Sequence, residues 1–374
     1  MTDTLTEVDL TPLLRPFVSD KLQLKNRVLM APMTRSRSPG GIPTDEVARY
    51  YERRALGGVG FIMTEGVNLD APASSNDRNA PNLASAAALE GWRRVVEAVH
   101  AAGAKIGCQL WHCGDLRDPA ATASPDFANQ RPSGVDSRTG VVVAEPMTER
   151  ECEETIASFA RGAAAAKAVG FDAVEVHCAH GYLLDQFLWK RTNRRTDGWG
   201  GPSPADRAAL PAEVVRAVRT AVGPDYPIFV RLSQWKQQDF AVRLFETPDE
   251  LGAVLEQFKG AGADIIDCSL RRFWEPEYPG SELSLAGWAK RLSGRPVVAV
   301  GSVGLSEDFM SAFLRQGSSK ADIGDLVRRM TADEFDLIAV GRALLADPSW
   351  FMKLSAGRFD EVVGAPPEAI DLYF

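Results

Sequence analysis

Short runs of apolar, largely β-branched residues recur along the chain, bounded by glycine, proline or polar positions: residues 28–33, 61–65, 105–111, 173–177, 228–232, 265–269, 297–301 and 337–341. Such runs predict strands, and because they are continuous rather than alternating they predict strands buried on both faces. Between them, Ala-, Leu- and Arg-rich segments carry helical spacing over residues 45–55, 87–102, 149–168, 204–222, 248–261 and 306–330. Gly57, Gly103, Gly170, Gly223 and Gly262 follow such segments, where a glycine can take the left-handed conformation that ends a helix. Strand and helix in alternation predict parallel strands joined by right-handed crossovers. A doubly wound sheet alternates too, but the GxGxxG turn after its first strand is absent here. Eight strands are what a closed barrel needs. The expected fold class is therefore α/β, a TIM (β/α)8 barrel, with residues 1–374 as a single domain. The Pro-, Ser- and Asp-rich stretch 119–143, inside an excursion at 113–147, is expected to form a lid or hairpin on the barrel rim.

Composition narrows the field. At 45% hydrophobic and 25% charged residues the chain can bury a large core. A formal net charge of −8 supplies no positive field, so neither nucleic acid nor an anionic membrane surface is an expected partner. The polar, acidic stretch 1–9 lacks the order of a secretory signal and no run is long enough to span a membrane, so a cytoplasmic protein is expected. The five cysteines, Cys108, Cys113, Cys152, Cys178 and Cys268, form no CxxC pair and read as reduced thiols.

In a barrel the site is built where strands end, and these endings are unusually polar. Two of the four histidines, His177 and His180, fall at one strand end with Tyr182 just beyond. Adjacent imidazoles can donate two hydrogen bonds to one carbonyl or nitro oxygen, and a phenol beside them can supply a proton; a satisfied core histidine and helix caps are the bland alternative. Strands seven and eight end in Gly301-Ser302 and Gly341-Arg342, a pattern suited to one phosphate, which with no Walker lysine implies a mononucleotide cofactor. Gln109, Arg231 and Thr34 could meet the polar edge of a flat ring over the mouth, or form an internal polar network.

These residues match a family: the sequence resembles the Old Yellow Enzyme group of FMN-dependent ene-reductases. The resemblance runs through Leu24-Lys25-Asn26-Arg27, Ala31-Pro32-Met33-Thr34-Arg35, Gln109-Leu110-Trp111-His112, the block 176–201 with Leu183-Leu184-Asp185-Gln186-Phe187 and Arg195-Thr196-Asp197, and Gly341-Arg342 with Ala346-Asp347-Pro348. It implies that Pro32, Met33, Thr34, Gly66, Gln109 and Arg231 hold the isoalloxazine ring, and Gly301, Ser302, Gly341 and Arg342 the FMN phosphate. His177 and His180 would bind the substrate's activating oxygen and Tyr182 would donate the proton, with no metal site. It further implies ping-pong chemistry in which NADPH or NADH reduces FMN and an enone, enal or nitroalkene then takes hydride at Cβ and a proton at Cα. Trp111, Phe273 and Trp274 are expected to wall the substrate pocket.

The chain departs from the family pattern at His112-Cys113-Gly114-Asp115, where a Gly-Arg pair usually follows the histidine, and at the unfamiliar stretch Arg271-Arg272-Phe273-Trp274-Glu275-Pro276. Position 34 is threonine rather than the cysteine of the thermophilic-like branch. No cysteine follows Cys268, so the iron–sulfur and second flavin domains of larger relatives are not expected. The tail Leu372-Tyr373-Phe374 is expected to pack across a subunit interface or under the flavin edge, and a homodimer is allowed. Two rival readings are a metal-dependent barrel hydrolase using His112, Cys113, His177, Cys178 and His180, and a non-catalytic flavin-binding barrel.

Overall fold

In a computed structural model, which describes residues 8–122 and 124–374, eight parallel strands close into one barrel. They are β1 Val28–Met30, β2 Phe61–Asn68, β3 Lys105–Trp111, β4 Ala173–His180, β5 Ile228–Lys236, β6 Ile265–Ser269, β7 Val297–Val300 and β8 Leu337–Val340. Closure is made by β8 against β1, with Ile338 opposite Val28. The reading of residues 1–7 as leaderless lies outside the described residues. No helix among the described residues is long and apolar enough to cross a membrane.

Two packed layers hold the barrel. Inside it, Leu29, Phe61, Met63, Ala173, Phe229, Ile265, Val298 and Leu337 fill the lower half, with Phe61 stacked on Phe229 at 5.5 Å. The hairpin Phe17–Val18 and Gln23–Leu24 plugs that end with Phe17, Leu22 and Leu24. Outside, helices such as Glu149–Val169 lay one apolar face on the strands; this helix starts in a Thr148/Glu151 capping box and stops where Gly170 takes φ +111.

Four expectations shift. β1 stops at Met30 rather than Met33: Ala31 still donates its N–H to the Val340 carbonyl at 2.9 Å, but Pro32 has no N–H with which to continue the ladder. β2, β4 and β5 run past their expected ends, to Asn68, His180 and Lys236. The helix expected over 306–330 is two, Met310–Phe313 and Gly324–Thr331; between them Ser318 exchanges backbone hydrogen bonds with Ala365 at 2.7 and 2.8 Å, which a helix would forbid. Gly57 ends its helix at φ −69, so no left-handed cap forms there.

The rim excursion is pinned from below. Asp115, buried, accepts from Ser137 N–H at 2.7 Å and Ser137 Oγ at 2.6 Å and pairs with Arg131. Farther out, Val135 and Val142 form an isolated antiparallel bridge.

Candidate active site

The end of β4 is held in a conformation its sequence alone disfavours. A register shift between Cys178 and His180 is followed by φ +64 at His180, a left-handed value that costs a non-glycine residue about 1–2 kcal/mol. The extension of β5 offsets that cost. The His180 N–H donates to Ser233 Oγ at 2.9 Å, and the Gly181 N–H donates to the Asp185 carboxylate at 2.6 Å. Asp185 is paired with Lys236 at 2.8 Å, both fully buried, and Lys236 Nζ also donates to the carbonyls of Ser233 and Gln234. Trp235 stacks on the His180 ring at 4.3 Å, its Nε1 anchored on the Ser269 carbonyl at 3.1 Å.

This scaffold brings His177, His180 and Tyr182 together: each histidine–histidine and His177–Tyr182 ring pair is 5.1 Å apart. His180 Nε2 lies 2.8 Å from Ser269 Oγ, to which Arg231 also donates at 3.3 Å. Burial, reinforced by Arg231, holds both imidazoles well below their ordinary pKa, so they are neutral in the physiological range. Burial pushes the Tyr182 phenol up, so it keeps its proton. The three form a wall of neutral donors, suited to an oxygen that gains negative charge during reaction.

His180 and Tyr182 border a cavity of about 560 Å³ at the C-terminal mouth, whereas His177 is not among its lining residues and packs edge-on against both rings. His180, Tyr182 and Trp235 line one side; Pro32, Met33 and Thr34 another; Gly301, Ser302, Gly341 and Arg342 the far side; Arg231 lies among them. The loop bearing Thr34 is fixed by Glu65, whose carboxylate accepts the Arg35 and Ser36 N–H groups at 2.9 and 3.2 Å, and burial raises Glu65 to about 7. Gly301, at φ +155, has no room for a side chain: a Cβ would stand 2.8 Å from the Leu270 carbonyl. At Gly341 the nearest atom to a Cβ is Met33 Sδ at 3.5 Å, an ordinary contact, so the backbone there is only loosely covered. Arg231 Nε and His177 Nδ1 are buried with no hydrogen-bond partner. A bare-backbone far wall, a cationic floor and unpaired donors fit a flat, anionic mononucleotide such as FMN.

Not every expected residue reaches the cavity. Gln109 turns into the barrel and donates to Glu175 at 2.7 Å, and Gly66 lies beneath the Trp111 ring, which a Cβ there would strike at 2.6 Å. Trp111 itself is buried behind Tyr182, edge-on at 5.1 Å, so it backs the phenol rather than walling the pocket. Phe273 is drawn into the apolar core and Trp274 packs on it at 4.9 Å; Arg271 lines the cavity in their place. The tail packs on its own chain, Tyr373 stacking on Tyr50 at 4.4 Å while the Phe374 carbonyl accepts from Arg54. The rival metal set does not assemble: among the described residues no group of three His, Cys, Asp or Glu is placed to hold an ion. His112 instead accepts from the Gly114 N–H at 3.1 Å. Trp235 and Ser269 are the site residues the sequence reading missed. Period-two continuation from Arg231 through Ser233 to Trp235, and from Asp267 to Ser269, was the signal available.

Barrel, polar mouth and nucleotide cradle define a class, the barrel oxidoreductases that bind a mononucleotide flavin. The sequence profile of the NADH:flavin oxidoreductase / NADH oxidase family matches residues 12–361, and the chain belongs to that family. It is 33% identical over 350 residues to an NADH oxidase of Thermoanaerobacter brockii, covering 91% of this chain and 50% of that one, so it spans about half that relative's length. To 12-oxophytodienoate reductase 1 of Oryza sativa subsp. japonica it is 32% identical, over 90% of this chain and 84% of the relative. Among solved structures, morphinone reductase in complex with tetrahydroNAD superposes with a TM-score of 0.79 at 26% identity, covering 96% and 93% of the two chains.

Proposed function

We propose that this chain is an FMN-dependent ene-reductase that uses NADPH or NADH to reduce activated C=C bonds in enones, enals or nitroalkenes. The observation that carries the reading is the convergence of His180 and Tyr182, with His177 edge-on to both rings and all three in their neutral forms, on one side of the cavity that Arg231 and the two glycine ends complete. Pro32, Met33, Thr34 and Arg231 would hold the ring, and Gly301, Ser302, Gly341 and Arg342 the phosphate. FMN, when bound, supplies hydride acceptance from the nicotinamide and hydride donation to the alkene.

The protein's own groups do the rest. His177 and His180 bind the carbonyl or nitro oxygen; at His180 Nε2 that oxygen takes the place of the Ser269 hydroxyl. Donation from two neutral imidazoles strengthens as the oxygen gains charge, which lowers the barrier selectively. Tyr182 delivers its proton to Cα, and the edge contact with Trp111 fixes where that phenol points. Arg231, lining the cavity, would supply positive charge to offset the negative charge that a reduced flavin carries.

The visible spectrum followed anaerobically, with NADPH and then 2-cyclohexenone added, tests this reading. Flavin bands that bleach with NADPH and return with the enone are expected; a colourless protein that FMN cannot reconstitute would overturn it.

A further inference from the structure

Alternation along the barrel strands puts a second, polar layer above the apolar one. Ala173, Phe229 and Ile265 face the interior, and two residues further on so do Glu175, Arg231 and Asp267. Neighbouring registers set Gln109 beside Glu175, and Arg231 beside Asp267. Arg231 Nη1 lies 3.9 Å from Glu175 Oε1 and 3.4 Å from Asp267 Oδ2, so one guanidinium nitrogen stands between the two carboxyl groups. All of these side chains are buried, yet Glu175 Oε2 and Asp267 Oδ1 have no hydrogen-bond partner. The layer thus holds two acids and one guanidinium.

Among the described residues no second cation balances the pair. His177 and His180, facing the layer from β4, are neutral, the Cys178 and Cys268 thiols are held protonated by burial, and Lys236 is committed to Asp185. An uncompensated buried carboxylate beside another is strongly disfavoured, whereas one proton between them satisfies both. We propose that Glu175 and Asp267 share a single proton, leaving the Arg231 cluster electrically neutral beneath the barrel mouth. Burial and the adjacent Asp267 charge, which push Glu175 well above the ordinary carboxyl range, agree. The consequence, which rests on the flavin reading, is functional. A doubly ionised pair would outweigh Arg231 and set net negative charge under the ring that must accept electrons; the shared proton keeps Arg231 available to that ring.

Infrared spectroscopy of the purified protein at pH 8, above the value of about 7 that burial gives Glu65, tests the shared proton directly. A carboxylic-acid C=O band that shifts on exchange into deuterium oxide is expected in the wild type. Glu175→Gln and Asp267→Asn are each expected to abolish it, since the remaining acid then ionises against Arg231. Absence of the band, or its survival in either variant, overturns the proposal. Because the band belongs to the resting protein it does not depend on the flavin reading; that dependence is read separately, as a shift of the same band on anaerobic reduction with NADPH.

Discussion

The two sides of the barrel mouth hold their groups by different means. On the β4–β5 side the positions of His180 and Tyr182 are fixed by side chains: a buried Lys236–Asp185 pair, Ser233 Oγ on the His180 N–H and the Trp235 stack. On the β7–β8 side position is fixed by backbone shape: Gly301 at φ +155 and Ser302 at φ +52, with Arg342 held by the carbonyls of Asp308 and Glu307 and by Ser311 Oγ. The first arrangement aims individual donor atoms; the second presents a smooth cradle for a group that brings its own charge. The two sides should therefore respond to mutation in different ways.

The largest effect is expected at Lys236. Lys236→Met leaves Asp185 buried and unpaired, which should cost about 3–5 kcal/mol in a urea unfolding experiment. A loss below about 1 kcal/mol would mean that the pair does not hold the turn. Next, the double variant His177→Ala/His180→Ala should keep FMN while the oxidative half-reaction with an enone slows by about 10²–10³-fold in stopped flow. Loss of flavin alone would contradict the assignment. Tyr182→Phe should slow alkene reduction by about 100-fold and leave flavin reduction by NADPH unchanged; equal slowing of both would remove the proton-donor role. Across the mouth, Arg342→Met should cost only about 1 kcal/mol of stability, because its partners are carbonyls and a hydroxyl rather than a buried charge, yet flavin content after dialysis should fall. If instead stability falls as far as with Lys236→Met, the contrast between the two sides fails.

The smallest effect is one of pH. His112, His177 and His180 have folded values below that of the unfolded chain, His112 at about 3, so the unfolded state binds more protons below pH ~6.5 and stability falls as pH drops through that window. Glu65, raised to about 7, works the other way: its contribution is present in acid and is lost as pH rises toward 7. Glu175, Asp185 and Glu277, also raised by burial, act in the same direction as Glu65 and oppose the imidazoles, so the sign is read as a difference: the change in melting temperature from pH 5 to 7 should be more positive in Glu65→Gln than in the wild type.

Much of this was legible in the chain, for identifiable reasons. Barrel strands buried on both faces write continuous apolar runs, so the position of every strand was readable. His177, His180, Tyr182, Arg231 and the paired glycines announced themselves because chemistry needs those residue types at strand ends. Where β4 and β5 end was not readable: the apolar signal stops at His177 and Leu232, while the ladder continues on hydrogen bonds that Ser233 and Lys236 make across strands. The pocket wall was misjudged for a similar reason, since an aromatic such as Phe273 serves a core as well as a pocket, and only packing decides between them. Sequence by itself determined the barrel, its polar mouth and the candidate residues at the strand ends, because periodicity and residue chemistry are local properties. Only the tertiary structure decided that Glu175, Arg231 and Asp267 meet in one layer and that Trp235 backs His180, because those contacts join strands far apart in the chain, through registers and bulges that no single segment encodes.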